Sequence, residues 1–255
     1  MKITVLGCSG SVPGPGLPTS GYLVEAEGFR LVVDLGGGTF GKLQKHCSPF
    51  DVDALLLSHL HLDHCADFAS LTTFRRHHPR PPYDPRERRL PVHAPSGAPE
   101  RLAHAHAASR ADPESLEDVF EFFPLRRGEF RLGPCTVEVA PMRHICEAYG
   151  FRIECGGRSL VFSGDTAVCP ELVELARGAD VLLADTAWVD RGSRPDNLHM
   201  SGREAAGVAV EAGVGRLLLT HVLPWSDRDA VLADAAGVFA GGRAELVEQD
   251  GVYEV

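Results

Sequence analysis

The tightest constraint on this 255-residue chain is the run Ser58-His59-Leu60-His61-Leu62-Asp63-His64, which directly follows the apolar stretch Ala54-Leu55-Leu56-Leu57. A short apolar run bounded by polar residues reads as a buried strand, so the histidines stand at a strand end. Four potential metal ligands fall within six residues, in the order H-x-H-x-D-H. Imidazole and carboxylate suit zinc and its first-row neighbours. Side chains two apart on extended backbone point the same way, so His59 and His61 can converge on one ion. Asp63 and His64 follow the turn, where the chain can redirect them toward a second ion. The bland alternative is a histidine-rich surface turn, and residues elsewhere in the chain weigh against it.

Those residues share one position in the pattern. His59, His144, Asp165 and His221 each stand at or just beyond the end of an apolar, strand-like run, and so do Asp34 and Asp185. In sheet-based folds, strand ends and their loops are where groups distant in sequence meet. Positions 59 to 221 span most of the chain, and any cut between them would split the site, so residues 1–255 are expected to form one domain. Helices are expected over 39–47, 65–76, 99–109, 169–177, 202–212 and 227–239, the fifth entered through Ser201 and Glu204, a capping-box pair. Residues 148–154 and 159–162 read as a hairpin through Gly156-Gly157, and 244–255 as a last β segment. Gly36-Gly37-Gly38 matches no nucleotide fingerprint and reads as a tight turn rather than a phosphate cradle. His104 and His106, two apart on a helix, face different sides and read as surface or packing residues.

Composition excludes some functions. A formal charge of −10 disfavours broad attraction to nucleic acid. No apolar run approaches the roughly 18–20 residues of a membrane helix, and the opening strand is too short for a signal-peptide core. Seven cysteines, odd in number and without a C-x-x-C pair, fit reduced thiols in a cytoplasm. Between Arg75 and Arg89 lie six arginines among prolines that forbid a regular element. That segment reads as a solvated connecting loop; the sharper reading is a lid or a subunit contact in a homodimer, bringing positive charge to an anionic substrate.

The motif at 59–64, the lone His144, Ser-Gly-Asp-Thr at 163–166 and Leu-Leu-Leu-Thr-His at 217–221 together resemble the metallo-β-lactamase superfamily, nearly end to end. The resemblance implies an α/β (α+β) fold, a four-layer αββα sandwich, around a dinuclear metal site. His59, His61 and His144 would bind the first metal, Asp63, His64 and His221 the second, and Asp165 would bridge them. Two zinc ions per chain are expected, with manganese or iron as substitutes. Two metals about 3.5–4 Å apart can share a hydroxide and clamp attacking and leaving oxygens, and binding lowers the pKa of water toward roughly 7. A flavodiiron oxygen reductase would carry Glu in place of the second histidine, so His61 argues against that redox chemistry.

Leu198-His199-Met200-Ser201, followed by Glu204-Ala205-Ala206, resembles the phosphodiesterase group that includes ribonuclease Z. The resemblance implies an extra histidine, His199, near the substrate phosphate, where it can protonate a leaving alkoxide. Asp63 is the second candidate catalytic residue, as acceptor of the water's proton. Asp185 would orient His199 and Asp34 a ligand histidine, each by accepting an outer ring N–H. Ribonuclease Z carries a tRNA-clamping arm between the lone histidine and the bridging aspartate; here 21 residues, one apparent hairpin, fill that interval. The chain is most similar to small actinobacterial-type cyclic-nucleotide phosphodiesterases, through Gly36-Gly37-Gly38, 163–166 and His221-Val222-Leu223-Pro224-Trp225. The expected activity is hydrolysis of a small phosphodiester such as cyclic AMP by metal-bound hydroxide, with Arg75 or Arg76 and the 9–20 loop holding the substrate. The alternatives are tRNA 3′ processing, hydrolysis of an ester, lactone or thioester, and metal binding without turnover. Neither nucleic acid nor membrane is an expected partner.

Overall fold

The computed structural model describes every residue except 108, 110–112, 192–193 and 241–242. Strands β1 (Lys2–Gly7), β2 (Gly21–Ala26) and β3 (Phe29–Leu35) form an antiparallel meander. From β3 the chain turns to parallel pairing through β4 (Ala54–Leu56), β5 (Leu90–Ala94) and β6 (Phe120–Pro124). Parallel neighbours need a crossover, and helices supply it: α1 (Thr39–His46), then α2 (Leu62–Cys65) with α3 (Phe68–His77), then α4 (Ala98–His106).

The second half repeats the plan. Strands β7 (Gly128–Leu132), β8 (Cys135–Pro141), β9 (Tyr149–Cys155) and β10 (Arg158–Phe162) are antiparallel. Strands β11 (Val181–Asp185), β12 (Arg216–Thr220) and β13 (Arg243–Leu246) continue in parallel, with α5 (Pro170–Ala176), α6 (Gly202–Ala212) and α7 (Arg228–Ala236) between them. Strand β14 (Val252–Glu254) returns to the first sheet beside β1.

Alternation along the strands stacks these elements. On β3, Leu31 and Val33 face the core between the sheets, whereas Val32 faces the helices α1, α3 and α4. On β11, Val181 and Leu183 enter the inter-sheet core and Leu182 and Ala184 the core under α5, α6 and α7. Period-two placement with apolar residues on both faces is what a doubly covered sheet requires. The order helices, sheet, sheet, helices is the expected αββα sandwich.

Four local readings change. Residues 244–255 are two strands in different sheets, because the chain turns at Asp250, in the left-handed region at φ 60°, where its N–H bonds Val5 O. β6 escapes notice from sequence: Phe-Glu-Phe-Phe-Pro has no clean alternation, since it forms an exposed sheet edge where proline is tolerated. The helix expected over 65–76 begins at Phe68, after a separate turn, α2, that starts inside the histidine motif. α4 ends at His106, and residue 108 of the expected 99–109 helix lies outside the described residues. Among the described residues, no helix is long and apolar enough to cross a membrane.

Candidate metal centre

The ends of β3, β4, β8, β10, β11 and β12 deliver Asp34, His59, His144, Asp165, Asp185 and His221 to one edge of the sandwich. Asp63 and His64 enter on α2, where the Asp63 carbonyl lies against Gly36. A Cβ on Gly36 would lie 1.9 Å from Asp63 O and 2.3 Å from Thr19 Oγ1, so only glycine admits the approach. Gly36 thus serves backbone contact at the motif.

Three groups of candidate ligand atoms share Asp165: two drawn largely from the motif, and a third made of Asp165, Asp185, His199 and His221. In the first, His59 Nε2 and His144 Nε2 lie 3.0 and 3.2 Å from His61 Nδ1, and Asp165 Oδ2 lies 3.6 Å from His59 Nε2. In the second, His64 Nε2 is 3.1 Å from Asp165 Oδ1 and 3.3 Å from His221 Nε2, which is 3.1 Å from Asp63 Oδ2. The candidate ligand atoms of each group all lie within 4.8 Å of one another.

The outer ring atoms fix which nitrogens face inward. His64 Nδ1–H donates to Asp34 Oδ2 at 2.7 Å, and His144 Nδ1–H to Leu198 O at 3.0 Å. Ser58 Oγ donates to Asp34 at 2.8 Å and accepts from His59 Nδ1–H at 3.1 Å. His221 Nδ1 lies 3.3 Å from Asp185 Oδ1. With protons held on these outer nitrogens, the inner nitrogens of His59 and His144 both present lone pairs toward His61 Nδ1. His61 Nδ1 can give a proton to only one of these two acceptors at a time, whereas a cation would satisfy all three nitrogens, and outer-nitrogen bonds of this kind are how metal-binding histidines are oriented. The donor set therefore fits a metal. Asp34 and His221 hold the left-handed region at φ 57° and 60°, strain that persists only where surroundings impose it.

Electrostatics divides the groups. Burial, reinforced by neighbouring imidazoles, pushes His59 well below the ordinary histidine value; burial likewise lowers His61 and His144. These three are neutral donors. In the second group burial opposes charge but loses. Hydrogen bonds from His221 and His64 hold Asp63 far below the usual carboxylate range. Asp165 is depressed by His221, His64 and His59, while His64 and His221 are raised by the carboxylates around them. That half of the site demands positive charge. Ser11 N–H, from the 9–20 loop, also donates to Asp63 Oδ2 at 3.0 Å.

His199 stands beside the cluster, just before the Ser201–Glu204 capping box that starts α6. It is 9 % exposed, with its ring 5.0 Å from that of His221 and 5.7 Å from that of His144. Its Nδ1–H donates to Asp185 Oδ2 at 2.8 Å, while Asp165 Oδ2 is 3.8 Å from the same nitrogen. That nitrogen is bonded to Asp185, and both residues belong to the third group of candidate ligand atoms. Burial disfavours its charge, but the Asp185 carboxylate outweighs burial and raises its pKa. Asp185 is itself held by Thr166 N–H at 3.1 Å.

Arg75 and Arg76 do not hold substrate. Arg75 is 2 % exposed and gives its donors to Val119 O, Arg88 O and the Tyr83 hydroxyl, between the rings of Phe50 and Phe120. Arg76 binds Asp118 through two nitrogens and Ser115 O through one. Arg88 and Arg89 face Asp53 and Glu121. His104 is exposed and bonds Glu100 O within its own helix. Sequence reasoning missed Ser58, the link between Asp34 and His59, although it immediately precedes the motif. It also missed Arg101, whose Nε–H donates to Leu60 O at 2.9 Å, and Cys146, whose Sγ lies 3.8 Å from His61 Nε2.

A family model described as "Beta-lactamase superfamily domain" matches residues 29–222. An uncharacterised protein of Mycobacterium tuberculosis is 42% identical over 258 residues, covering 100% of this chain and 92% of that protein. A ribonuclease Z of Mycobacterium bovis is 31% identical over 258 residues, 88% of this chain and 86% of its own length. The crystal structure of YhfI from Bacillus subtilis, a metallo-beta-lactamase fold protein, superposes with a TM-score of 0.87 at 26% identity, covering 99% of this chain and 98% of that one.

Proposed function

The chain belongs to the metallo-β-lactamase superfamily and is a metal-dependent hydrolase, and on that premise we propose that it hydrolyses a small phosphodiester, first among them a cyclic nucleotide such as cyclic AMP. The proposed ligands are His59, His61 and His144 for one zinc ion, Asp63, His64 and His221 for the other, and Asp165 between them. Bound there, the pair would neutralise phosphoryl oxygens and acidify a water. The rest is done by this chain's own residues. Asp63 accepts the water's proton. His199, whose pKa the Asp185 carboxylate raises, gives its Nε2 proton to the leaving oxygen. Asp185 fixes the ring by holding Nδ1–H. Asp34 does the same for His64 directly and for His59 through Ser58.

The observation that carries this reading is the His199–Asp185 pair beside the ligand cluster. An alkoxide leaving group needs a proton and such a pair provides one, whereas an ester or lactone gives it less to do. The similarity to ribonuclease Z supports tRNA 3′ processing as a second reading. Against it stand the −10 charge and the interval between His144 and Asp165, which is spanned by β9, β10 and a two-glycine turn. The proposed setting is the cytoplasm, with residues 1–255 as one catalytic unit.

Zinc-loaded protein assayed on cyclic AMP, bis-p-nitrophenyl phosphate, a pre-tRNA and a lactone tests this. Small diesters should be hydrolysed, with only mild loss between about 50 and 200 mM salt, the range that strips multi-phosphate binders. Efficient, salt-sensitive trailer cleavage without activity on small diesters would put the second reading first.

A further inference from the structure

Next to the first ligand group lies a cavity of about 360 Å³ that the chemistry above leaves unused. His61 belongs both to the ligand group and to the cavity wall, which continues through Cys146. Leu60, Pro95 and the Gly97 backbone make the wall largely apolar. Two charges interrupt it. The Arg101 guanidinium is pinned by its Nε bond to Leu60 O and makes no ion pair among the described residues. Glu147 is held by the Ser96 hydroxyl at 3.2 Å and the Tyr149 hydroxyl at 2.9 Å. Both are therefore placed before any ligand arrives, which lowers the cost of binding.

The pairing of charges selects the occupant. A second phosphate would meet the Glu147 carboxylate, and an ammonium would meet the Arg101 guanidinium. A neutral ring system with acceptor nitrogens for Arg101 and amino or hydroxyl donors for Glu147 satisfies both, and apolar walls suit its faces. The volume falls within the roughly 300–1,000 Å³ of small-molecule sites. We propose that this cavity is the nucleoside subsite, seating the base and sugar of the diester beside His61, with Arg101 and Glu147 as its specificity-determining residues. The inference rests on the phosphodiesterase reading and names which part of the substrate goes where.

Gly97 offers a clean test. Its φ is −81°, and a Cβ there meets nothing within 4 Å, so Gly97→Leu adds bulk at the cavity wall without backbone strain. Full-length wild type, Gly97→Leu and Glu147→Gln would be compared for zinc content, for turnover of cyclic AMP and methyl p-nitrophenyl phosphate, and for calorimetric binding of adenosine 5′-monophosphate. Both variants should keep their zinc. Gly97→Leu should raise KM for cyclic AMP and Kd for the monophosphate roughly tenfold or more, the scale of a spoiled specificity pocket. Glu147→Gln should shift both in the same direction. Turnover of the methyl diester, which carries no nucleoside, should stay near the wild-type value. Equal losses on both diesters, or unchanged monophosphate binding in Gly97→Leu, would overturn the subsite. Failure of wild type on both diesters would instead sink the phosphodiesterase reading, and the binding arm would still decide the cavity.

Discussion

Two clusters of charged side chains look functional in this sequence, and their hydrogen bonds tell them apart. Around Arg75 and Arg76, every strong donor meets an acceptor: backbone carbonyls for one guanidinium, Asp118 and Ser115 O for the other. Around Asp165 the outer nitrogens of His59, His64 and His144 are bonded, yet the inner nitrogens of His59 and His144 both face His61 Nδ1, which has at most one proton to give them. The first cluster is complete within the chain. The second keeps converging donor atoms that a cation would satisfy. Charge density along a sequence does not separate these cases; the direction in which each group's bonding capacity is spent does.

The contrast can be broken by substitution. The largest effect should come from Asp165→Ala, which removes the carboxylate common to all three candidate ligand groups. Activity should fall to background, and elemental analysis should show metal lost with it. Retained metal with normal turnover would mean the groups do not depend on a shared ligand. His199→Ala comes next. It should lower kcat on phosphodiesters by roughly 10²–10⁴, the usual range for a positioned acid or base, while metal content and fold persist. Metal loss in this variant would make His199 a ligand. The smallest effect on turnover belongs to Arg75→Met, which should leave kcat and KM near wild type. Its cost should appear in urea unfolding instead, at about 1–3 kcal/mol for the unpaired carbonyls of Val119 and Arg88. A large kcat loss there would return the arginine segment to the active site.

How much of this could be read in advance follows from the range of each interaction. The motif at 59–64 is legible because its chemistry lies in local spacing. Asp34 and Asp185 are legible because each ends an apolar strand, and strand ends in this architecture converge. Arg101 is not, since its bond to Leu60 O spans 41 positions and leaves no mark on either segment. The Gly36 requirement is equally hidden: it arises from the Asp63 carbonyl across the fold. Arg75 misleads because its partners are mostly backbone carbonyls, which every residue carries and no sequence pattern announces. The strand at 120–124 and the split of 244–255 fail for a related reason, since edge strands are defined by what they pair with more than by what they bury.

The central claim is that the Asp165-centred cluster is a dinuclear metal site. Its most direct test is elemental analysis of the full-length protein purified without chelator, then after dialysis against excess zinc. The account predicts close to two first-row metal ions per chain, chiefly zinc, with Asp165→Ala well below that. A folded wild-type protein that stays metal-free in excess zinc would contradict it.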